Sequence, residues 1–464
     1  MSAARSAATD ATTDATVSVS NHQTTTAGAP ATAHPVLSAR RAVLVFGAFA
    51  FAYFFSALVR AVTATLAPVF STELGLAAGQ LGLLAGAYFL GFSAMQLPLG
   101  SALDRWGGKR VLMALLALAT LGCLAFAAAG NLPQLLVARL VIGMGVSACL
   151  MAPLTCFRLL LSDQAQLRAN AWMLMSGALG MLASTLPVQW LLPVLGWRGL
   201  FVAVAAMLLL AVGLIWRLVP PDTPASRQAR LQAGGYRQVF RHPVFVRLAP
   251  LGFFLYGGMI ALQALWIGPW LTQVGGRDAA GAARGLFVVN LAMLLAFFGW
   301  GLLIPRLVRA GWAGERLVAA AWPLQAGCMG VLLWLGPDAQ PLLWALWCVC
   351  TSVVSLSQPA VGQAFVPALA GRALSAFNLV IFAGVFAWQW AIGLGLDALA
   401  TAGLPTLARY RLVFGVFLAV CTLACLWLNL MQWRAGGLRG WAQPRPENRP
   451  QPRPDNPPPV PNPP

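Results

Sequence analysis

Gly100-Ser-Ala-Leu-Asp104-Arg105-Trp-Gly107-Gly108-Lys109-Arg110 is a short polar turn between two apolar runs, and its setting decides how the whole chain is read. Gly100 permits close contact with a neighbouring helix, and Gly107 with Gly108 lets the chain reverse tightly. Asp104 is placed to accept hydrogen bonds from a cation or a helix N-terminus, while Arg105, Lys109 and Arg110 concentrate positive charge on the turn. The flanking runs, 79–102 and 111–130, each have about the 20 residues needed to cross a hydrocarbon layer of about 30 Å.

Such runs recur from end to end of a 464-residue chain that is 59% hydrophobic and 9% charged. Twelve are expected, near 42–69, 79–102, 111–130, 133–156, 170–193, 199–217, 248–272, 284–305, 317–336, 341–362, 373–397 and 411–432. Short connections at Asn131–Leu132 and Pro337–Gln340 leave ten or eleven as the alternative count. Surface this apolar has to face lipid, so the chain reads as an all-α integral membrane protein.

The net charge of +18 is explained by topology. With an even number of spans, 23 of the 30 Lys and Arg fall on the side of the Gly100–Arg110 turn and both termini. Five (Arg198, Arg277, Arg284, Arg409, Arg411) fall opposite, and Arg60 and Arg139 lie within spans. This bias is the positive-inside pattern, which puts both termini in the cytoplasm of a bacterial inner-membrane protein. The basic face suits anionic headgroups, so the bilayer is the expected partner and nucleic acid is not.

Residues 1–41 are Ala/Thr-rich without an apolar core and read as a disordered cytoplasmic tail; the first span then serves as an uncleaved targeting signal. Residues 434–464 are rich in Pro and Arg and read as a second disordered tail. All eight cysteines fall in spans, and Cys348-Val-Cys350 has no neighbouring His or acid, so no metal site is expected. No nucleophile–base–acid set appears, which argues against an enzyme; no cofactor is implied, and the chain is read as a monomer.

A basic linker over 219–247 separates a first six-span half, 42–218, from a second, 248–433. Trp197-Arg198-Gly-Leu-Phe201 and Tyr410-Arg411-Leu-Val-Phe414 open the sixth and twelfth spans with the same pattern, an internal echo that supports duplication. Polarity also sorts the spans: the third, sixth and ninth are almost bare, whereas others carry polar stripes at helical spacing. Ser56, Arg60 and Thr63 align in the first; Tyr256, Gln263, Trp266 and Trp270 in the seventh. Thr351, Ser355 and Gln358 align in the tenth; Ser375, Asn378, Phe382 and Gln389 in the eleventh. Helix–helix hydrogen bonds account readily for the Ser and Thr. Gln263, Asn378 and Gln389 carry amides that need several partners each, which points to a polar cavity.

The Gly100–Arg110 turn resembles the signature loop of the major facilitator superfamily, G-x-x-x-D-[RK]-x-G-x-x-[RK], with Gly100, Asp104, Arg105, Gly107 and Arg110 at its defined positions. Arg139-Leu-Val-Ile-Gly143-Met-Gly145 in the fourth span resembles the family's R-x-x-x-G-x-G motif, and the second-half counterpart of the loop, Gly301 to Arg306, is degenerate, with Pro305 in place of the acid. The resemblance spans 42–433 and implies an alternating-access transporter. It makes the loop a gate latch and gives Arg139, Gly143 and Gly145 a role in packing or coupling. It also implies a cavity lined by helices 1, 2, 4, 5, 7, 8, 10 and 11, in agreement with the polarity sorting.

Arg60 is the sharpest indication of substrate. It has no acid in its own span, and Pro68 follows eight residues later, a spacing similar to that in the organophosphate:phosphate antiporters. Those carriers place a second arginine eight residues before a proline in span 7; here the position before Pro269 is Ala261. One guanidinium suits a monoanion such as a carboxylate better than a phosphate dianion. Tyr88, Tyr256, Gln263, Trp266, Asn290, Asn378 and Gln389 complete the candidate substrate-binding set. Asp397 is the one acid placed in a span, near its outer end, which disfavours proton symport through a central carboxylate. A multidrug or metabolite efflux carrier and a transporter-like membrane sensor are the alternatives.

Overall fold

The computed structural model describes residues 37–221, 235–309 and 314–434. Residues 1–36, 222–234 and 435–464, which hold most of both expected tails and the middle of the linker, lie outside the described residues, and α1 begins at Ala39, inside the stretch expected as tail. Apolar runs of membrane length become helices because only intrasegment hydrogen bonding satisfies a backbone in lipid. They are α1 (Ala39–Glu73), α2 (Ala78–Leu103), α3 (Gly108–Ala128), α4 (Leu132–Arg158), α5 (Asp163–Ala183), α6 (197–218), α7 (Pro243–Gln273), α8 (Ala279–Arg309), α9 (Gly314–Leu335), α10 (Pro341–Gln363), α11 (Pro367–Thr401) and α12 (Thr406–Arg434).

The fifth span differs in shape from its sequence expectation. Its first half carries Gln164, Gln166, Arg168 and Asn170 and is less apolar than the others. A break at Ser184–Thr185 interrupts it, and residues 186–195 continue it as far as Gly196, whose φ of 62° reverses the chain into α6. The break is held from α1: the Thr65 hydroxyl donates to the Ser184 carbonyl at 2.7 Å. Gly107 makes the corresponding reversal between α2 and α3 with φ 85°, a left-handed backbone that glycine alone adopts without steric cost.

The two halves repeat one packing plan. In the first, α3 packs on α4 and α6, α2 on α4, and α1 on α5; in the second, α9 packs on α10 and α12, α8 on α10, and α7 on α11. The sequence echo marks equivalent joints. Trp197 Nε1 donates to Glu73 at the end of α1 at 2.9 Å, and Tyr410 Oη donates to Gln273 at the end of α7 at 3.1 Å. Arg198 donates to the Ala129 carbonyl just past α3, and Arg411 donates to the Leu333 and Trp334 carbonyls at the end of α9. Each joint is floored by rings: Trp197 with Phe70, Phe126 and Phe201, and Tyr410 with Trp270, Trp344 and Phe414.

Between the halves, α2 lies along α11, α1 against α7, and α5 against α8. Gly143 and Gly145 sit where α4 meets α2 and α3: a Cβ on Gly143 would overlap the Tyr88 carbonyl, and one on Gly145 would overlap the Ala119 amide. Backbones that close need glycine, so this motif is a packing seam.

Candidate functional site

Arg60 stands midway along α1, within the bilayer span. Its Nη2 rests 3.6 Å from the Met181 thioether of α5, and its Nε has no hydrogen-bond partner. No carboxylate meets it among the described residues, and its charge is felt at the Tyr88 ring of α2 and the Tyr256 ring of α7. Tyr53 lies two turns before Arg60 on α1 and also interacts with Tyr256. Two of the chain's five tyrosines, Tyr88 and Tyr256, therefore interact with this guanidinium. Tyr88 is 1% exposed, and its hydroxyl lies beside Ser56 of α1. A thioether is a weak acceptor, so this half-buried cation keeps hydrogen-bonding capacity to offer.

Arg139 is the other cation within the spans among the described residues, and it faces elsewhere. It is 1% exposed, donates to the Val59 carbonyl of α1 at 3.1 Å, and lies over the Phe126 and Phe201 rings at 5.3 and 5.6 Å. These contacts tie α1, α3, α4 and α6 together inside the first half. Packing, one of the two roles the resemblance implied, is what its geometry supports.

The candidate residues of the second half are largely engaged with one another. Gln263 Nε2 donates to Asn290 Oδ1 at 3.1 Å across α7 and α8, and Asn290 donates back to the Leu286 carbonyl at 2.9 Å. Gln358 donates to Asn378 across α10 and α11. Trp266 spends its indole N–H on the Gln389 carbonyl of α11 at 3.2 Å. Gln389 is the exception: fully buried, with neither amide atom partnered. It lies beside the α2 backbone, where a Cβ on Gly82 would overlap its carbonyl.

The seventh span is not the uniform stripe expected of it. Two π-helical stretches, Leu251–Tyr256 and Leu262–Trp266, shift its register. Trp270 is thereby buried in the aromatic core with Trp344, Tyr410 and Phe414, away from the Arg60 region. In α10 a 3₁₀ stretch over Ser352–Leu356 breaks the Thr351–Ser355–Gln358 alignment in the same way.

At the Gly107 end, Arg105 and Arg110 are exposed, with the Arg105 guanidinium 5.6 Å from the centre of the Trp106 ring. The Asp104 side chain lies outside the described residues. Gly100 makes room for Tyr236 of the linker helix Tyr236–Arg241: a Cβ there would stand 2.9 Å from the hydroxyl, which donates to the Leu97 carbonyl at 3.0 Å. Lys109, outside the defined motif positions, donates to the Trp216 and Val219 carbonyls and so closes the C-terminal end of α6. Sequence reasoning missed this cap, and it missed Met181 beside Arg60 and Tyr53 beside Tyr256. Tyr53 was legible, because it falls on the Ser56–Arg60–Thr63 stripe.

Comparison with known proteins agrees with this architecture. The chain is 24% identical over 317 residues to a Cupriavidus necator protein described as "Probable sulfoacetate transporter SauU", covering 63% of this chain and 71% of that one. It is 30% identical over 291 residues to the multidrug resistance protein MdtM of Salmonella typhimurium, covering 60% of this chain and 66% of that one. Among solved structures, a bacterial homologue of the human lysosomal transporter Spinster superposes with a TM-score of 0.66 at 17% identity, covering 86% and 98% of the two chains. A D-xylose–proton symporter superposes with a TM-score of 0.64 at 15% identity, covering 84% and 96%. At these identities the structures speak to fold alone. The family model of the Major Facilitator Superfamily matches residues 49–388, so this chain belongs to that superfamily and is a multi-pass membrane transporter.

Proposed function

We propose that the protein carries a small organic anion, headed by a carboxylate or a sulfonate, across the bacterial inner membrane by alternating access. The observation that carries this reading is Arg60, a membrane-embedded guanidinium resting on a thioether, with no carboxylate partner among the described residues. An incoming anion with two oxygens offers the guanidinium fork charge-assisted hydrogen bonds that the resting site lacks. Similarity to the sulfoacetate transporter supports the same class of cargo. The Tyr88 hydroxyl, beside Ser56 of α1, and the unpartnered Gln389 amide are the groups available to orient the rest of the molecule. The Gln263–Asn290 and Gln358–Asn378 pairs, already satisfied, shape the wall. The excess of Arg and Lys at the Gly107 end supports a cytoplasmic position for that end.

Uptake and counterflow in proteoliposomes test the reading, with sulfoacetate, simple carboxylates, phosphate esters and a lipophilic cation as cargoes. Sulfonate or carboxylate flux that disappears in Arg60→Ala is the expected result. Similarity to the multidrug protein makes efflux the second reading. Cation flux that survives Arg60→Ala, with no anion flux, would replace the first reading by the second.

A further inference from the structure

Asp397 lies near the end of α11, and its carboxylate crosses the seam between the halves. Oδ1 accepts from the Ala78 amide at 3.0 Å and Oδ2 from the Gly79 amide at 2.7 Å. These amides open α2, where a helix leaves its first N–H groups unpartnered and presents the positive end of its dipole. Ala77, at the cap position, has no side-chain acceptor of its own. The first turn of α2 is thus capped by a residue from the other half of the molecule.

The surrounding backbone is built for that contact. A Cβ on Gly393 of α11 would overlap the Ala78 carbonyl, and one on Gly82 of α2 would overlap the Gln389 carbonyl. A Cβ on Gly79 would stand 2.8 Å from Asp397 Oδ2. At the same seam, Gly268 of α7 lets that helix approach the Ala64 carbonyl of α1. The halves therefore touch backbone to backbone here, and Asp397 is the charged group at the contact. A transporter that alternates access has to part this seam whenever the Ala78 end opens. Parting it strips the carboxylate of both donors and leaves two helix-terminal amides uncapped.

We propose that Asp397 is the latch of the Ala78 end: by capping α2 across the interface it sets how much of the protein is closed on that side. The role concerns the conformational cycle and is independent of the solute. It also accounts for the one span-embedded acid without assigning it to proton transfer. Were Asp397 merely structural within its own half, its loss would lower stability without redistributing the open and closed states.

The test uses full-length protein in nanodiscs with spin labels at Thr72→Cys on α1 and Thr401→Cys on α11, both exposed positions at this end. Asp397→Asn keeps one accepting oxygen and loses the charge. We expect it to raise the ratio of open to closed distances by about tenfold, the shift that corresponds to about 1.4 kcal/mol. Asp397→Glu, which keeps the charge, should shift the ratio less. An Asp397→Asn distance distribution identical to that of the parent overturns the proposal. Should the variant fail to fold, hydrogen exchange on the unsubstituted protein decides the matter. The Ala78 and Gly79 amides should exchange at least about 100-fold more slowly than open-chain amides, because the latch supplies their acceptor. Exchange at the open-chain rate would remove the latch.

Discussion

The first half of the molecule carries two membrane-embedded guanidinium groups, whereas the second half offers neutral amides along its spans and, at the Ala78 end, the Asp397 carboxylate. Arg60 is left with a thioether, and Arg139 is locked into packing against Val59, Phe126 and Phe201. Across the interface, Gln263 pairs with Asn290 and Gln358 with Asn378, while the buried Gln389 amide stays without a partner. Both halves share one packing plan and equivalent terminal joints, so the difference lies in chemistry and not in architecture. One half brings an unneutralised charge to the interface, and the other brings a preformed wall. A solute with a negative head completes the first without being required by the second.

The comparison is broken most directly at Arg60. Arg60→Ala should lower anion transport by about 100-fold, because the cost of losing a charge-assisted pair is about 1.5–3 kcal/mol. Initial rates in proteoliposomes measure this, with thermal unfolding of the same preparation as the control; Arg60→Lys should recover part of the rate. Transport equal to that of the parent protein would show that the charge asymmetry has no functional meaning. Gln389 comes next. Its fully buried amide has neither donor nor acceptor satisfied, so Gln389→Leu should raise stability by about 1 kcal/mol. If the solute uses the amide, KM should rise by about tenfold in the same variant. Higher stability with unchanged KM would remove Gln389 from the site. Gln263→Ala, by contrast, leaves Asn290 Oδ1 without its donor and should cost about 1–2 kcal/mol of stability, with KM moved by less than about threefold. A KM effect as large as that of Arg60→Ala would show that the wall binds as well as shapes.

Much of this contrast was legible in the sequence. Hydropathy located the spans, eleven of them helices long and apolar enough to cross a membrane with the more polar α5 beside them, and the Gly100–Arg110 and Arg139–Gly145 motifs identified the family. The Trp197 and Tyr410 echo, a matter of a few residues, turned out to mark equivalent hydrogen-bonded joints. What escaped had physical reasons. The Asp397 cap on Ala78 joins residues more than 300 positions apart, and no local pattern encodes it. The π turns of α7 alter a register that ideal periodicity assumes constant, so Trp270 aligned with Gln263 on paper and entered the core in space. Met181 carried no signal at all, because a methionine in an apolar run reads as filler until a guanidinium lies against it.

The smallest effect tests whether the two halves are as alike at their joints as they differ in their cavities. In the first half Glu73 accepts from Trp197 and pairs with Arg198 at 2.9 Å, with both charged side chains nearly half exposed. In the second half the same joint is neutral, Tyr410 to Gln273, and Tyr410 is buried. Exposed ion pairs contribute about 0–1 kcal/mol, and a neutral buried hydrogen bond about 1 kcal/mol. Glu73→Gln keeps an acceptor for the indole and loses only the charge, so it should cost less than about 0.5 kcal/mol. Tyr410→Phe deletes the hydroxyl alone and should cost about 1 kcal/mol. Thermal unfolding of both variants in one detergent gives the order. A larger loss in Glu73→Gln would mean that the first half is held at its joint by charge as well, and that the asymmetry between the halves extends beyond the cavity.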